Sequence, residues 1–242
     1  MQQTVRLIAL RTVTYSDSRA ILTAYSREYG RMSFLIPAGA GREATRRRSI
    51  LQPLALVECI ANTRPANDIS RMSEPRPLLP LHNIRANPIR AAIATFIAEL
   101  LSAALRESQP DPALFDYLAT AIPLLDTLPP GNIPNYHICF IYHLGEVLGI
   151  SPDTETYRPG AIFDFRDGIF RLTPPPHTDI LTPQASEVLH TISRITFANM
   201  HRFLLTRTQR AEIIAAMLRY ISIHHTPLPE LRSLPVLHML FD

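Results

Sequence analysis

The sequence has 242 residues, of which 46% are hydrophobic and 19% are charged; this composition is typical of globular proteins and excludes an intrinsically disordered chain. The most continuous apolar run, residues 91–105, contains Glu99 and is shorter than the roughly 20 residues that span a bilayer, so it predicts a core helix. The net charge of +3 is unevenly distributed: residues 1–80 hold twelve arginines and six acidic residues, whereas residues 81–242 hold twelve arginines and fifteen acidic residues. A basic first segment indicates a polyanionic partner.

The first 80 residues have the pattern of short strands separated by turns. Stretches rich in β-branched and aromatic residues alternate with clusters of Gly, Ser and Asp, and residues 28–31 are typical of a hairpin connection. The predicted strands are residues 4–14, 19–26, 32–38, 50–60 and 68–72. Five short strands in a segment of this length favour a small, partly open β-barrel.

A proline-rich stretch follows the predicted strands. Pro75, Pro77 and Pro80 disfavour both helix and central strand, so they predict a linker. We therefore expect a domain boundary near residue 80, with residues 1–80 as one domain and residues 81–242 as a second. Beyond the boundary the hydrophobic period becomes helical. Helices are predicted at residues 88–105, 111–128 and 133–148, with Asn87 as the N-cap of the first and Asp111-Pro112 capping the second.

A short β-segment is predicted to interrupt the helices. Asp167-Gly168 is a dipeptide typical of a two-residue hairpin turn, so we expect a hairpin within residues 163–172. The helical pattern resumes at Thr182, and Thr206 with Gln209 predicts a capping box at the start of a further helix. The predicted fold class is α+β: an N-terminal five-stranded barrel followed by a mainly α-helical domain with a small hairpin insertion.

The segment of residues 39–48 admits two interpretations. Gly39-Ala-Gly-Arg-Glu-Ala44 matches the G-x-G-x-x-A pattern of a dinucleotide-binding turn, and Glu58 has the approximate spacing of a ribose-binding acid. This alternative would make the chain a dinucleotide-dependent enzyme. It requires a helix that packs on a parallel sheet, but residues 43–49 contain no apolar side chain beyond Ala44.

The preferred interpretation is a flexible cationic loop that binds phosphates. The loop's arginines are Arg42, Arg46, Arg47 and Arg48. A simply solvated loop is the alternative, because most charge runs are solvated, but the basic surroundings favour nucleic acid. Three more arginines on neighbouring strands or turns join the candidate site: Arg11, Arg27 and Arg31. Four aromatic residues could stack on bases or fill the barrel core: Tyr15, Tyr25, Tyr29 and Phe34.

Catalytic and metal-binding patterns are not recognised in the sequence. His137 and His143 are six positions apart and His224 and His225 are adjacent, so neither pair has the i, i+4 spacing of helical zinc sites. There is no G-x-S-x-G nucleophile motif. The two cysteines give neither a metal knuckle nor a disulfide framework and fit a reducing cytoplasm: Cys59 and Cys139.

The order and spacing of several short segments resemble the RecO recombination mediator family over essentially the whole chain. The N-terminal segments are residues 12–19, 25–31, 37–42 and 51–54. The later ones are residues 112–118, 143–149 and 174–177. They are similar to those of family members that lack zinc cysteines.

The resemblance implies an N-terminal OB-type fold that binds single- and double-stranded DNA and promotes the annealing of complementary strands. It also implies that the protein works with RecR to load recombinase, without catalysis or a cofactor, in the bacterial cytoplasm at the nucleoid. No metal is expected, because residues 151–172 contain no cysteine. Phe163, Phe165 and Phe170 are expected to pack in place of the metal.

A second partner implied by the resemblance is the acidic tail of single-stranded-DNA-binding protein, at the helices of residues 111–128 and 132–149. This sequence departs from the family there, because residues 107–157 contain no Lys or Arg. An acidic peptide would meet only His137, His143 and apolar surface such as Phe115.

Overall fold

The N-terminal part of the chain forms a closed five-stranded β-barrel. The computed structural model describes residues 2–62, 69–106 and 109–240. The barrel strands are β1 (Gln2–Ser16), β2 (Arg19–Ser26), β3 (Gly30–Pro37), β4 (Leu56–Asn62) and β5 (Ile69–Pro77). The order around the barrel is β1-β2-β3-β5-β4, and β4 closes onto β1. All pairs are antiparallel except β3 with β5. The predicted five-stranded barrel of OB type is confirmed.

Side chains of the strands alternate between the barrel interior and an outer face. Every second residue of β3 is buried, and Leu22, Phe34 and Val57 are completely buried in the interior. This two-residue period is the geometric consequence of the pleat. β1 changes its phase at a bulge between Ala9 and Arg11, after which all its residues are exposed.

Pro75 and Pro77 lie within β5, so the prediction of a linker at these two prolines is wrong. β3 pairs with residues 69–71 of β5, and β4 pairs with residues 72–77 of β5. A register shift in that pairing and a φ of +51° at Glu74 mark a bulge beside Pro75. Prolines are tolerated at edges and bulges because no ladder bond is lost there. Asp68, where the sequence predicts the fifth strand to begin, lies outside the described residues.

Residues 42–50 form a helix, α1 (Arg42–Ile50), where the sequence predicts a flexible loop to residue 48 and a strand from residue 50; the strand begins instead at Leu56. Ala44 is buried, and Ile50 packs at the edge of the barrel core. Glu43 also pairs with arginines three and four positions later, a spacing that stabilises helices. The prediction of a loop is wrong because one small buried side chain and these ion pairs can hold a polar helix against the barrel.

Three more helices belong to the first of two compact units, which comprises residues 1–127 and 231–237. They are α2 (His82–Ala86), α3 (Pro88–Ala104) and α4 (Pro112–Thr127). The Asn87 side chain accepts hydrogen bonds from the backbone N–H groups of Ile89 and Arg90, at 3.0 and 3.2 Å. The Asp111 side chain accepts one from the N–H of Leu114 at 3.1 Å. The predicted starts of both long helices are confirmed.

The second unit comprises residues 128–230 and 238–242. A 3-10 helix (Pro130–Asn135) precedes its first α-helix, so the helix predicted from residue 133 begins at Tyr136. The elements are α5 (Tyr136–Val147), β6 (Ile162–Asp164), β7 (Ile169–Arg171), α6 (Pro183–Ile192) and α7 (Arg207–His224); α8 (Leu234–Leu240) ends the described chain. Thr206 and Gln209 form the predicted capping box.

β6 and β7 form the predicted hairpin, but residues 165–168 connect them, so the prediction of a two-residue turn is wrong. Such a turn needs positive φ at both central residues, and only Gly168 has one, at +69°. Its N–H donates to the carbonyl of Asp164 at 2.9 Å. Phe163 is buried and lies 5.5 Å from Phe165 and 4.9 Å from Phe170, between ring centroids.

Candidate nucleic-acid interface

Helix α1 holds the four arginines that the sequence analysis assigned to a loop. It follows β3 after the turn of residues 38–41 and contacts β3 and β5. Ala44 faces the barrel, which leaves Arg42, Arg46 and Arg48 exposed and Arg47 partly exposed. The helix therefore presents a fixed cationic ridge, with four arginines and one acid in nine residues.

Glu43 neutralises part of this ridge. Its carboxylate accepts hydrogen bonds from Arg47 Nε at 2.9 Å and Arg46 Nε at 3.3 Å. The hydrogen bond from Arg47 is the main cause that lowers the pKa of Glu43. Arg48 donates to the Thr45 hydroxyl at 3.3 Å. No ion pair is recorded for Arg42 within the described residues, so its guanidinium is the most available of the four.

Arg27 and Arg31 are engaged inside the first unit. Arg27 donates to both carboxylate oxygens of Asp116, at 2.9 and 3.0 Å, and this contact lowers the pKa of that carboxyl. Arg31 donates to the carbonyl of Ser102 at 2.9 Å. Burial, with a smaller contribution from Arg106, lowers the pKa of Arg31. Both guanidinium groups therefore already donate hydrogen bonds within the protein, which leaves fewer of their N–H groups for a ligand.

Arg11 lies on a face of the barrel that the sequence analysis did not identify as a surface. We call it the outer sheet face and define it by two rows of paired residues on β1, β2, β3 and β5. The rows are Arg11, Thr23, Ser33 and Ile69, and Val13, Ile21, Leu35 and Arg71. All eight residues are exposed or half-buried and none of them is acidic, but Arg11 also lines a cavity with Glu99 of α3.

Two arginines were missed by the sequence analysis. Arg71 ends the second row of the outer sheet face, and Arg19 begins β2 at the hairpin that joins it to β1. Both are exposed and have no recorded ion pair within the described ranges. The alternation of side chains along a strand could have identified them. Arg19 precedes the buried Ala20 and Arg71 follows the buried Ser70, so both arginines point to the outer side of the barrel.

Of the four aromatic candidates, only Tyr15 is well placed to stack on a base. Its exposed fraction is 68%. Phe34 is completely buried in the barrel core, so for this residue the core interpretation is correct. Tyr25 is also completely buried, but outside the barrel core: its hydroxyl donates to the carbonyl of Gln109 at 3.2 Å and accepts from the N–H of Asp111 at 3.1 Å. The Tyr29 hydroxyl donates to Gln3 and its ring packs against the barrel core.

The β1–β2 hairpin is tied to the turn that precedes α1. Ala38 N–H donates to the carbonyl of Ser18 at 2.9 Å. Gly39 has a φ of +104°, a backbone conformation that favours glycine. A Cβ atom at this position would lie 3.7 Å from the carbonyl oxygen of Asp17. The hairpin with Tyr15 and Arg19 is thus held beside the start of α1, with the exposed Asp17 at the junction between them.

Groups suited to nucleophilic or metal chemistry are buried or scattered. Burial raises the pKa of Cys59 to about 11 and that of Cys139 to about 12, which leaves both thiols protonated at neutral pH. Within residues 2–62, 69–106 and 109–240, no group of three or more His, Cys, Asp and Glu side chains could hold a metal ion. No helix in the same ranges has the length and apolar character needed to cross a bilayer.

The second unit contains a separate cationic cavity of about 260 Å³. Its lining is His137, Arg207, Thr208, Arg210, Ala211, Ile214 and His238. Two buried nitrogens in it, Arg210 Nε and His238 Nε2, have no hydrogen-bond partner among the residues that the structure describes. Burial lowers the pKa of His137 to about 3, with smaller contributions from Arg210 and His238.

Two side chains suggested for an acidic peptide are therefore not available as predicted. His137 is 1% exposed and uncharged at neutral pH, and Phe115 is 4% exposed. Their helices bury both side chains, so of the three residues named for an acidic peptide only His143 is partly exposed. The basic side chains near His137 come instead from α7, which the local sequence of α5 could not reveal.

Comparison with known proteins gives matches along the chain. The family model "Recombination protein O N terminal" matches residues 1–79, and "Recombination protein O C terminal" matches residues 85–235. Proteins described as "DNA repair protein RecO" are similar over the full length: one from Phocaeicola vulgatus is 33% identical with all of both chains covered, and one from Bacteroides fragilis is 34% identical with the same coverage. One from Porphyromonas gingivalis is 35% identical over 98% of each chain.

Proposed function

Because the chain belongs to the RecO family of DNA repair proteins, we propose that it binds single- and double-stranded DNA without sequence specificity. In this role it promotes strand annealing and, with RecR, helps to load recombinase. Residues 1–80 form the nucleic-acid-binding domain and residues 81–242 the domain that holds partners. The observation that carries the proposal is the cationic ridge of α1 on a barrel whose net charge is +6 over residues 1–80.

The arrangement of the arginines favours phosphate contacts over base recognition. Exposed guanidiniums on a short helix can reach successive phosphates, which carry no sequence information. Arg42, Arg46, Arg47, Arg48 and Arg11 are the proposed contacts. Arg27 and Arg31 contribute less to the proposal, since their donors bind Asp116 and Ser102.

The dinucleotide-dependent enzyme is less well supported by the same residues. A dinucleotide-binding turn needs its helix between two parallel strands of one sheet. Here α1 connects β3 with β4, and β4 pairs antiparallel with both of its neighbours. The side chains of α1 are also mostly charged, and Ala44 is its one buried residue, so the helix lacks the broad apolar face that packs on the sheet of a dinucleotide-binding fold.

The experiment that tests the proposal replaces Arg42, Arg46, Arg47 and Arg48 together by Ala and measures the affinity for labelled single- and double-stranded DNA across salt concentrations. Each lost contact with a single strand should reduce the slope of log K against log salt by about 0.7, so the variant should flatten it by roughly 2 to 3 if all four engage. The unfolding temperature should change little, because three of the four side chains are exposed and the helix preference of Ala offsets the lost ion pairs with Glu43.

A charge control and a contrary outcome complete this test. Replacing Arg194 and Arg202, two exposed arginines of the second unit, should leave the slope as in the wild type. Unchanged affinity and slope in the quadruple variant would contradict the proposal for α1. Tight binding of NAD without DNA binding would favour the enzyme instead.

We propose the cavity of the second unit as the place for the acidic tail of single-stranded-DNA-binding protein. The side chains of Arg207, Arg210 and His238 can donate hydrogen bonds to a carboxylate. Within the described part of the chain, the buried Arg210 Nε has no hydrogen-bond partner. These residues give this member the basic groups that residues 107–157 do not contain.

A synthetic peptide of aspartates and apolar residues with a free C-terminal carboxylate tests this contact. Arg210→Ala should weaken its binding at least severalfold, and amidation of the peptide should do the same, because both remove one partner of a charge-assisted hydrogen bond. Arg202→Ala is the matched control and should bind normally. Equal binding by wild type and Arg210→Ala would exclude the cavity as the peptide site.

A further inference from the structure

The β1–β2 hairpin exposes apolar and aromatic side chains that a protein surface would ordinarily cover. Tyr15 is 68% exposed and Val13 is 46% exposed, and Ile69 across the outer sheet face is 48% exposed. Tyr15 is the extra residue at a β-bulge between Thr14 and Ser16, a feature that re-aims side chains at sheet edges. No hydrogen bond or ring contact of Tyr15 is recorded within the described residues, so its ring is open to a ligand.

Arginines flank these apolar groups, together with two acids: Asp17 is exposed in the hairpin turn, and Glu99 of α3 lines one cavity with Arg11. Arg11 and Arg71 stand at opposite ends of the outer sheet face, and Arg19 lies on the same hairpin as Tyr15. With neighbouring strands about 4.8 Å apart, the row from Val13 to Arg71 spans about 14 Å. An occupant must therefore offer negative charge and flat apolar surface together, alternating over a short distance.

Unpaired nucleic acid has this combination. In a single strand the phosphates lie beside bases whose faces are free to stack, whereas in a duplex the same faces are hidden in the base stack. Aromatic side chains on a basic groove bind single strands in this way without strong sequence preference. A protein partner would have to bring acidic and apolar groups in the same alternation, which single-stranded DNA carries at every nucleotide.

We propose that Tyr15 stacks on an unpaired base and, with Val13 and the arginines of the outer sheet face, makes this face selective for single-stranded over double-stranded DNA. The ridge of α1 contacts phosphates of both forms. The hairpin is held beside α1 by the Ala38–Ser18 hydrogen bond, so a strand that leaves the ridge arrives at Tyr15. This inference rests on the proposed DNA binding and adds to it the origin of strand preference.

Tyr15→Ala in the full chain tests the inference against labelled single-stranded oligothymidylate and a duplex of equal length. The variant should bind the single strand on the order of tenfold more weakly, as expected for one lost stacking contact, and bind the duplex within about twofold of the wild type. The salt slope should not change, because no charge is removed. Tyr15→Phe should restore single-strand binding, and Leu204→Ala, at a side chain 93% exposed in the second unit, should affect neither ligand.

A spectroscopic variant reports the contact directly. The chain contains no tryptophan, so Tyr15→Trp places the sole indole at the proposed stacking site. Its emission should be quenched by oligothymidylate and not by the duplex.

The outcomes separate the inference from the proposed function. If the wild type binds neither DNA form, the proposed function fails. If the wild type binds both forms but Tyr15→Ala binds the single strand normally, or loses both forms equally, the stacking inference is overturned and the face is left for a protein partner. Failure of Tyr15→Phe to restore binding would also overturn it, since the hydroxyl and not the ring would then be required.

Discussion

Individual arginines of the barrel have different roles although they are the same residue type. Arg27 binds Asp116, 89 positions away, and Arg31 binds the carbonyl of Ser102, 71 positions away. Arg42 and Arg71 have no recorded ion pair in the described residues. Sequence reasoning could group these arginines by composition, but it could not separate them, because the partners of Arg27 and Arg31 are brought near only by the fold.

His137 predicts a specific sensitivity to acid. Its pKa is about 3 in the folded chain and about 6.5 in an unfolded one. Between these values the unfolded chain binds a proton that the folded chain does not, so stability is lost as the pH falls below about 6.5. From pH 7.5 to 5.5 this single group should cost about 1 kcal/mol of unfolding free energy.

Urea unfolding at the two pH values measures this effect. His137→Gln should lose about 1 kcal/mol less than the wild type over the interval, whatever its stability at pH 7.5. His201→Gln, at an exposed histidine, should keep the wild-type pH dependence. If His137→Gln also keeps it, the imidazole is not held neutral by burial.

At the scale of elements, caps were predictable and weakly amphipathic segments were not. Asn87, Asp111 and the Thr206–Gln209 box confirmed the starts of three helices, since a cap is a local hydrogen bond between near neighbours. The loop predicted for residues 39–48 is wrong from Arg42 onward, because the ion pairs of Glu43 with Arg46 and Arg47 stabilise a helix that has little apolar surface. The turn predicted at Asp167-Gly168 is wrong because the pairing of β6 with β7 sets the turn length.

The ion pairs of Glu43 with Arg46 and Arg47 predict that removal of the Glu43 charge strengthens DNA binding. In Glu43→Gln, Arg46 and Arg47 lose their ionic partner and become available to phosphates, so DNA should bind more tightly at low salt and the salt slope should steepen. Fluorescence anisotropy with labelled single-stranded DNA measures both quantities. Glu187→Gln makes the same charge change at an exposed position of α6 and should have little effect. Equal affinities of the two variants would indicate that α1 does not contact DNA.

At the scale of the whole molecule, the division of charge is the property that the sequence revealed most directly. The excess of twelve arginines over six acids in residues 1–80 predicted where a polyanion would bind. It did not predict which surface of the barrel would be used, because a closed sheet has an inner and an outer face and the bulges of β1 decide which residues reach the outer one.

The measurement that tests the central claim most directly is a titration of the full wild-type chain into labelled single-stranded DNA at a series of salt concentrations. If the basic barrel binds the nucleic-acid backbone, log K should fall linearly with log salt. At about 0.7 per phosphate contact, three or more contacts give a slope of about −2 or steeper, with little change when the base sequence is altered. Absence of binding at low salt, or affinity that does not depend on salt, would contradict the account.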